Sequence, residues 1–113
     1  MLELTENALR VLRARYLLKN DRGEVVESPE EMFRRVASHV ARAEELYGED
    51  AAAWEERFFS LMTGLRFLPN SPTLMNAGKE LGQLAACFVL PVDDSMESIF
   101  DTLKKTALIL QSG

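Results

Sequence analysis

One stretch of this sequence has the composition of a strand buried on both faces, and the chain holds no second stretch of that quality. Residues 85–92 read Ala-Ala-Cys-Phe-Val-Leu-Pro-Val, a continuous apolar run of the kind found in parallel sheets. A single strand cannot form a sheet. This strand is therefore expected to pair with strands that lie outside these 113 residues.

Charged residues are distributed unevenly along the chain. The segment 67–92 contains only two of them, Lys79 and Glu80, whereas residues 1–66 are rich in charges of both signs. Mixed charges at this density are typical of amphipathic helices with solvated faces. The change in composition predicts a helical domain over 1–66 and a second part over 67–113.

Three helices are expected in the first part, and each begins at a residue that caps helices well. They run from Thr5 to about Leu18, from Ser28 to Gly48 and from Asp50 to Gly64. The second helix has the strongest signal, because Ser28 and Glu31 form a capping box around Pro29. The apolar residues at helical spacing are expected to pack in the core.

The segment 67–82 is dense in Pro, Asn, Ser and Gly, which predicts an ordered apolar loop without regular structure. The polar residues of this loop suit either a ligand site or an ordinary buried connection. They are Asn70, Ser71, Thr73 and Asn76. After the expected strand, Asp94 or Ser95 can cap a last helix with an unusually wide apolar face.

Composition argues against several classes of function. The net charge of −5 disfavours direct binding of nucleic acid. No signal sequence and no apolar run of bilayer length is present, so the cytoplasm is the expected compartment and a membrane partner is not expected. The single Cys87 and single His39 give no metal-ligand spacing, so no metal site is expected.

Taken alone, Cys87 has two interpretations. A lone cysteine among apolar residues is usually a buried hydrophobic side chain. A reactive thiolate would need activating groups from outside this chain, because no His or Lys lies within several residues of Cys87.

Several segments also carry a family resemblance. The longest are Phe-Leu-Pro-Asn-Ser-Pro-Thr-Leu-Met-Asn-Ala-Gly at 67–78 and Ala-Cys-Phe-Val-Leu-Pro-Val-Asp-Asp-Ser-Met at 86–96. Residues 4–12, 15–17 and 27–37 continue the match near the start of the chain. Together they resemble the large catalytic subunit of ribonucleotide reductases, and most of all the adenosylcobalamin-dependent (class II) branch.

The resemblance implies a mainly α chain. Residues 1–66 would be the N-terminal helical domain of a ribonucleotide reductase, and 67–113 the loop, first strand and first helix of an incomplete ten-stranded α/β barrel. Such an enzyme converts ribonucleotides to deoxyribonucleotides for DNA synthesis by radical chemistry. Residues 111–113 resemble the start of a glycine-rich turn beside the active site, so a split gene, an intein or deliberate shortening is expected to explain the end of the chain.

The resemblance also implies roles for individual residues. Cys87 would be one member of the cysteine pair that is oxidised while the ribose is reduced, with its partner outside this chain. Implied substrate contacts are Ser71, Pro72, Thr73 and Ala86. Asp94 and Ser95 would bind a deoxynucleotide effector.

Cofactor and partners follow from the same resemblance. Adenosylcobalamin would serve the complete enzyme, and none is expected to bind this segment alone. Implied partners are the remainder of the reductase chain, a ribonucleotide substrate, a deoxynucleotide effector, a second copy of the enzyme and a thioredoxin-like reductant. The chain would be inactive alone. The alternative is a stand-alone, reductase-related helical module that binds nucleotide or another chain without catalysis.

Overall fold

The computed structural model describes residues 2–112; Met1 and Gly113, the outer limits of the two predicted parts, lie outside this range. The helices are, in chain order, α1 (Glu6–Arg15), α2 (Pro29–Ala41), a 3₁₀ helix (Arg42–Tyr47), α3 (Ala51–Thr63), α4 (Ser71–Asn76) and α5 (Met96–Ser112). Within residues 2–112 the only pairing of extended backbone is one antiparallel bridge between Lys19 and Val25. The described chain is mainly helical, as expected.

The first three helices begin at the predicted caps. Thr5 Oγ1 accepts a hydrogen bond from Ala8 N at 3.2 Å, and the Asp50 side chain caps α3. The capping box of α2 is complete, because Glu31 N donates to Ser28 Oγ at 3.2 Å and Ser28 N donates to Glu31 Oε2 at 2.6 Å. Two ends differ from expectation: α1 stops at Arg15, and the stretch before Gly48 tightens into the 3₁₀ helix.

The core is centred on α2, which packs mainly against α3 and also touches α4. The inner-face side chains of Met32, Phe33 and Val36 are buried, as helical spacing predicted. Leu46 and Tyr47, which the same spacing placed in the core, are exposed because the chain tightens there into the 3₁₀ helix. The core cluster comprises Leu17, Met32, Phe33, Val36, Ala37, Met62, Leu74 and Ala77. Two of its members, Leu74 and Ala77, lie beyond residue 66, so α4 packs on the helical body. The predicted division between residues 66 and 67 stays a prediction.

A surface contact reinforces the α2–α3 pair. Arg34 Nη1 lies 3.2 Å from Glu55 Oε1 and 2.6 Å from Glu56 Oε1, and the guanidinium stacks 3.6 Å from the centre of the Phe59 ring. The hydrogen bond to Glu56 raises the pKa of Arg34 above its usual value. Because the Arg34 side chain is 38% exposed, we expect these ion pairs to contribute no more than about 1 kcal/mol.

The strand predicted over 85–92 does not form. Among the described residues, no backbone–backbone hydrogen bond joins this segment to any other, and Val89 is almost fully exposed. Strand geometry is stabilised by neighbouring strands that satisfy the backbone N–H and C=O groups. Without such neighbours, the apolar composition of 85–92 is not enough to make a strand.

The irregular loop predicted over 67–82 contains a short helix, so that prediction was wrong for α4. Asn70 caps this helix, and Pro72 lies in its first turn. The same residue types favour turns, which is why the composition pointed to a loop. Proline is also well tolerated in the first turn of a helix, where its missing N–H is not needed.

α5 extends away from the core and has no buried residue. Its start is capped by Ser95, whose Oγ accepts a hydrogen bond from Ser98 N at 3.1 Å. The radius of gyration is 17.4 Å, whereas a compact domain of this length has about 13 Å.

None of the helices within residues 2–112 combines the length and hydropathy needed to cross a bilayer.

Leu65 carries backbone strain that a substitution should relieve. Its φ is 54°, in the left-handed region that disfavours side chains with a Cβ, and its own side chain is exposed. We expect Leu65→Gly to raise the free energy of unfolding by about 0.5–1 kcal/mol, after the greater entropy of glycine in the unfolded chain is subtracted. Urea denaturation measures the change.

Leu68→Gly is the matched control for this prediction. Leu68 is also exposed, but its φ is not in the left-handed region. Glycine there should leave the free energy of unfolding unchanged or lower it. Equal effects of the two substitutions would contradict the strain at Leu65.

Candidate functional site

The first turn of α4 carries three of the residues predicted to contact substrate: Ser71, Pro72 and Thr73. Asn70 organises this turn, because its Oδ1 accepts a hydrogen bond from Thr73 N at 3.1 Å and lies 2.6 Å from Thr73 Oγ1. The cap therefore fixes both the backbone and the hydroxyl group of Thr73.

α4 is tied to the helical body at both ends. At its start, the Tyr16 hydroxyl and Ser71 Oγ are 2.8 Å apart and share a hydrogen bond. At its end, the Arg35 guanidinium donates to the carbonyl oxygens of Leu74 and Ala77. Arg35 of α2 and Tyr16, the residue that follows α1, thus set the position of the turn that carries Thr73.

Two hydrogen bonds bring the chain after α4 back alongside it. Thr73 Oγ1 is 3.0 Å from the carbonyl oxygen of Leu84, and Asn76 Nδ2 donates to the carbonyl oxygen of Gln83 at 2.9 Å. The single proton of the Thr73 hydroxyl is therefore shared between Asn70 Oδ1 and Leu84 O. The predicted substrate turn and the chain leading to Cys87 meet at this hydroxyl.

Cys87 follows Leu84 by three residues, and three extended residues span at most about 11 Å. Chain connectivity therefore keeps Ala86 and Cys87 within this distance of Leu84. Cys87 is a free, exposed thiol, so its interpretation as a buried hydrophobic residue is wrong for this chain. The cause is the missing strand, because a residue on a strand covered on both faces would be buried.

The predicted effector residues lie apart from this turn, just before α5. Ser95 Oγ accepts the hydrogen bond that caps α5, which leaves its own proton free to be donated. Asp94 is exposed. α4 and α5 have no extensive contact, so two separate places on the described chain carry the predicted substrate and effector residues.

An apolar cavity of about 410 Å³ borders the turn of α4, between α2, α3 and the segment 67–84. Its walls include Val36, Phe58, Met62, Phe67, Thr73 and Leu84. Apolar walls do not favour a charged phosphate group. Among the described residues that line the cavity, Thr73 alone has a polar side chain, so its hydroxyl group is what the cavity offers to a nucleotide.

No group of three or more His, Cys, Asp or Glu side chains within residues 2–112 is arranged to hold a metal ion. His39 lies half-buried on α2.

Two charged residues that the sequence interpretation missed complete this part of the molecule. Glu27 and Arg35 form an ion pair, in which Arg35 Nη2 lies 2.7 Å from Glu27 Oε1. The side chain of Arg35 is only 15% exposed and that of Glu27 only 7%. In the sequence both residues resemble ordinary solvated charges. No periodicity would have identified them, because the pair spans the turn that precedes α2.

The cap of α4 can be tested by substitution. We expect Asn70→Ala to lower the free energy of unfolding by about 1 kcal/mol, because it removes the acceptor of Thr73 N. Asn70→Asp keeps an acceptor oxygen at the same place, now part of a carboxylate, and is the matched control, with a smaller expected loss. Urea denaturation of the variants measures both changes, and equal losses would contradict the role of Asn70 as a cap.

Comparisons with known proteins agree with this architecture. A family model described as the ribonucleotide reductase all-alpha domain matches residues 2–82. A vitamin B12-dependent ribonucleoside-diphosphate reductase of Thermoplasma acidophilum is 41% identical, over 99% of this chain and 22% of that protein. The protein of the same name from Mycobacterium tuberculosis is 50% identical, over 99% of this chain and 16% of that protein.

The match extends to a eukaryotic relative. The ribonucleoside-diphosphate reductase large chain of Schizosaccharomyces pombe is 43% identical, over 92% of this chain and 12% of that protein. The chain thus spans less than a quarter of the length of the relatives it matches. The resemblance seen in the sequence is confirmed: the chain belongs to the ribonucleotide reductase family, as the N-terminal all-alpha segment of a class II large subunit.

Proposed function

We propose that this chain is part of an enzyme that reduces ribonucleotides to deoxyribonucleotides, to which it contributes one redox cysteine and parts of two nucleotide sites. The observation that carries the proposal is the contact between Thr73 Oγ1 and the carbonyl oxygen of Leu84. This chain belongs to the ribonucleotide reductase family, and in it this contact holds the polar turn of α4 beside the chain that leads to Cys87.

Cys87 acts in this proposal as one of two thiols that reduce the ribose. The 2′-hydroxyl of the substrate leaves as water and C2′ gains a hydrogen. The Cys87 thiol and a second thiol outside this chain together give up two electrons and two protons and become a disulfide. A thioredoxin-like dithiol then restores both thiols by disulfide exchange.

The first turn of α4 binds the substrate in this account. Ser71 and Thr73 present hydroxyl groups, Pro72 stiffens the turn, and the backbone at Ala86 lies across from them. The relatives are named ribonucleoside-diphosphate reductases, which supports diphosphates as the substrate class. Adenosylcobalamin, bound by residues outside this chain, supplies the radical chemistry of the complete enzyme.

Asp94 and Ser95 form part of the effector site in this account. The exposed carboxylate of Asp94 accepts hydrogen bonds from the hydroxyl groups of a deoxynucleotide sugar. Ser95 keeps its proton available as a donor, because its oxygen already caps α5. The sites of substrate and effector thus occupy different elements, which is what regulation by a second nucleotide requires.

The partners follow from the same proposal. The rest of the reductase chain supplies the neighbouring strands for 85–92 and continues the ten-stranded α/β barrel, which α5 joins as its first helix. Two copies of the complete enzyme associate, and the exposed apolar face of α5 supports a place for this helix in a buried interface. The enzyme acts in the cytoplasm.

The test uses the complete reductase that contains this segment. We expect it to form deoxyribonucleoside diphosphates from ribonucleoside diphosphates when adenosylcobalamin and a dithiol reductant are supplied. Omission of adenosylcobalamin is the control and should stop product formation. A folded, cofactor-loaded enzyme that forms no deoxyribonucleotide would contradict the proposal.

A further inference from the structure

A single arginine of α2 is bonded to the end of α4. Arg35 Nη1 donates to the carbonyl oxygen of Ala77 at 2.8 Å, and Nη2 donates to that of Leu74 at 3.0 Å. Carbonyl groups at a helix end lack partners within the helix. Arg35 therefore satisfies two such groups with one guanidinium.

Glu27 holds this guanidinium in place. Its Oε2 accepts from Arg35 Nε at 3.0 Å and its Oε1 from Nη2 at 2.7 Å, so the pair is bidentate. Glu27 Oε1 also accepts a hydrogen bond from Leu18 N at 2.9 Å. The carboxylate is thus anchored to the chain after α1 while it orients Arg35.

The position of α4 depends on contacts of this kind. A helix of six residues is too short to be stable by itself. The chain turns sharply at Gly78, which has φ of 82°, and a Cβ there would lie only 3.4 Å from Arg35 Cγ. The turn therefore packs beside the arginine side chain, which helps to hold the end of α4.

We propose that Arg35, oriented by Glu27, is a positioning residue for the substrate turn of α4. The guanidinium holds the end of the helix, and the helix in turn holds Thr73 against the carbonyl oxygen of Leu84 and the chain to Cys87. Arg35 itself lies beneath the turn and acts through α4. The inference rests on the proposed function of the α4 turn and Cys87.

The test compares Arg35 variants of the complete, cofactor-loaded reductase. In Arg35→Gln we expect KM for the ribonucleoside diphosphate to rise about tenfold or more, because the turn is misplaced. The Leu74 and Ala77 amides donate within α4, to the carbonyl oxygens of Asn70 and Thr73. Loss of the charged hydrogen bonds to the helix end should loosen α4 and speed exchange of these amides by about tenfold. The kcat per folded active site should change much less than KM, whereas mere loss of folded enzyme would leave KM unchanged.

Arg35→Lys is the milder variant and keeps the test valid if Arg35→Gln fails to fold. One ammonium group preserves the charge but cannot serve both carbonyls and both carboxylate oxygens with the same geometry. We expect intermediate changes in KM and exchange. Arg34→Gln is the matched control, because the neighbouring arginine binds Glu55 and Glu56 at the surface and should affect neither quantity.

The results separate this inference from the function on which it rests. Unchanged amide hydrogen exchange at Leu74 and Ala77 in both Arg35 variants would show that Arg35 does not stabilise α4. Suppose that wild-type turnover is normal and that amide exchange is faster in the Arg35 variants. Unchanged KM in these variants would then overturn the role of Arg35 in substrate positioning. Absence of deoxyribonucleotide from the wild-type enzyme would overturn the proposed function itself, and with it this inference.

Discussion

Turnover by the complete reductase is expected to disappear when Cys87 is replaced by serine. A serine hydroxyl cannot form a disulfide, so the two electrons that reduce the ribose can no longer come from this position. The substitution exchanges a single atom, sulfur for oxygen, and keeps the shape of the side chain. The measurement is deoxyribonucleotide formation with adenosylcobalamin and a dithiol reductant present.

Lys79→Gln is the control for this prediction. Lys79 lies in the same segment of the chain, is exposed and has no place in the proposed sites. We expect the turnover of the Lys79→Gln enzyme to stay close to that of the wild-type enzyme. Both variants should bind the effector nucleotide normally. Retained turnover in Cys87→Ser would exclude a redox role and favour a module that binds without catalysis.

The second large effect is expected at the centre of the core, in Phe33→Ala. The Phe33 side chain is 2% exposed, and deletion of a buried phenylalanine side chain costs about 3–5 kcal/mol of stability. A loss of that size is comparable with the whole stability of many small domains. We therefore expect the cooperative urea transition of the 113-residue chain to shift strongly downward or to vanish.

Phe100→Ala is the matched control, because it removes the same atoms as Phe33→Ala from a side chain that is not packed in the core. The Phe100 side chain is 58% exposed on α5, and alanine is the better helix former. We expect the free energy of unfolding to change by no more than about 0.5 kcal/mol. Similar losses in Phe33→Ala and Phe100→Ala would contradict a core centred on α2.

The helices of the first part were predictable because their signals are local. A cap such as Thr5 or Asp50 acts within three residues of the helix start, and the capping box of Ser28 and Glu31 is complete within four positions. Apolar spacing then identified the buried face of α2. Such features depend on the nearby sequence alone, and the structure confirms them.

The segments that differ from the predictions are those where distant residues decide the outcome. Residues 85–92 have the composition of a strand, but a strand needs neighbours that this chain does not offer. Asn70 and Pro72 are typical of a loop, although the same residues also begin a short helix. That helix lies against α2, and tertiary contact is what a turn composition cannot reveal.

The candidate site was predictable only in part, for the same reason. The resemblance directed attention to Ser71, Thr73 and Cys87, and the structure places α4 and the chain to Cys87 side by side. The residues that hold α4, Glu27 and Arg35, are eight positions apart and have no pattern that distinguishes them from surface charges. Their pairing with the carbonyl oxygens of α4 is visible only in three dimensions.

The central claim, that Cys87 is a redox residue of a ribonucleotide reductase, is tested most directly by its oxidation state after one turnover. Reduced, cofactor-loaded enzyme is mixed with a ribonucleoside diphosphate without any external dithiol, quenched and alkylated, and its peptides are mapped by mass. We expect Cys87 in a disulfide with a cysteine from outside this segment, in proportion to the deoxyribonucleotide formed. Full product yield with Cys87 still alkylated as a free thiol would contradict the claim.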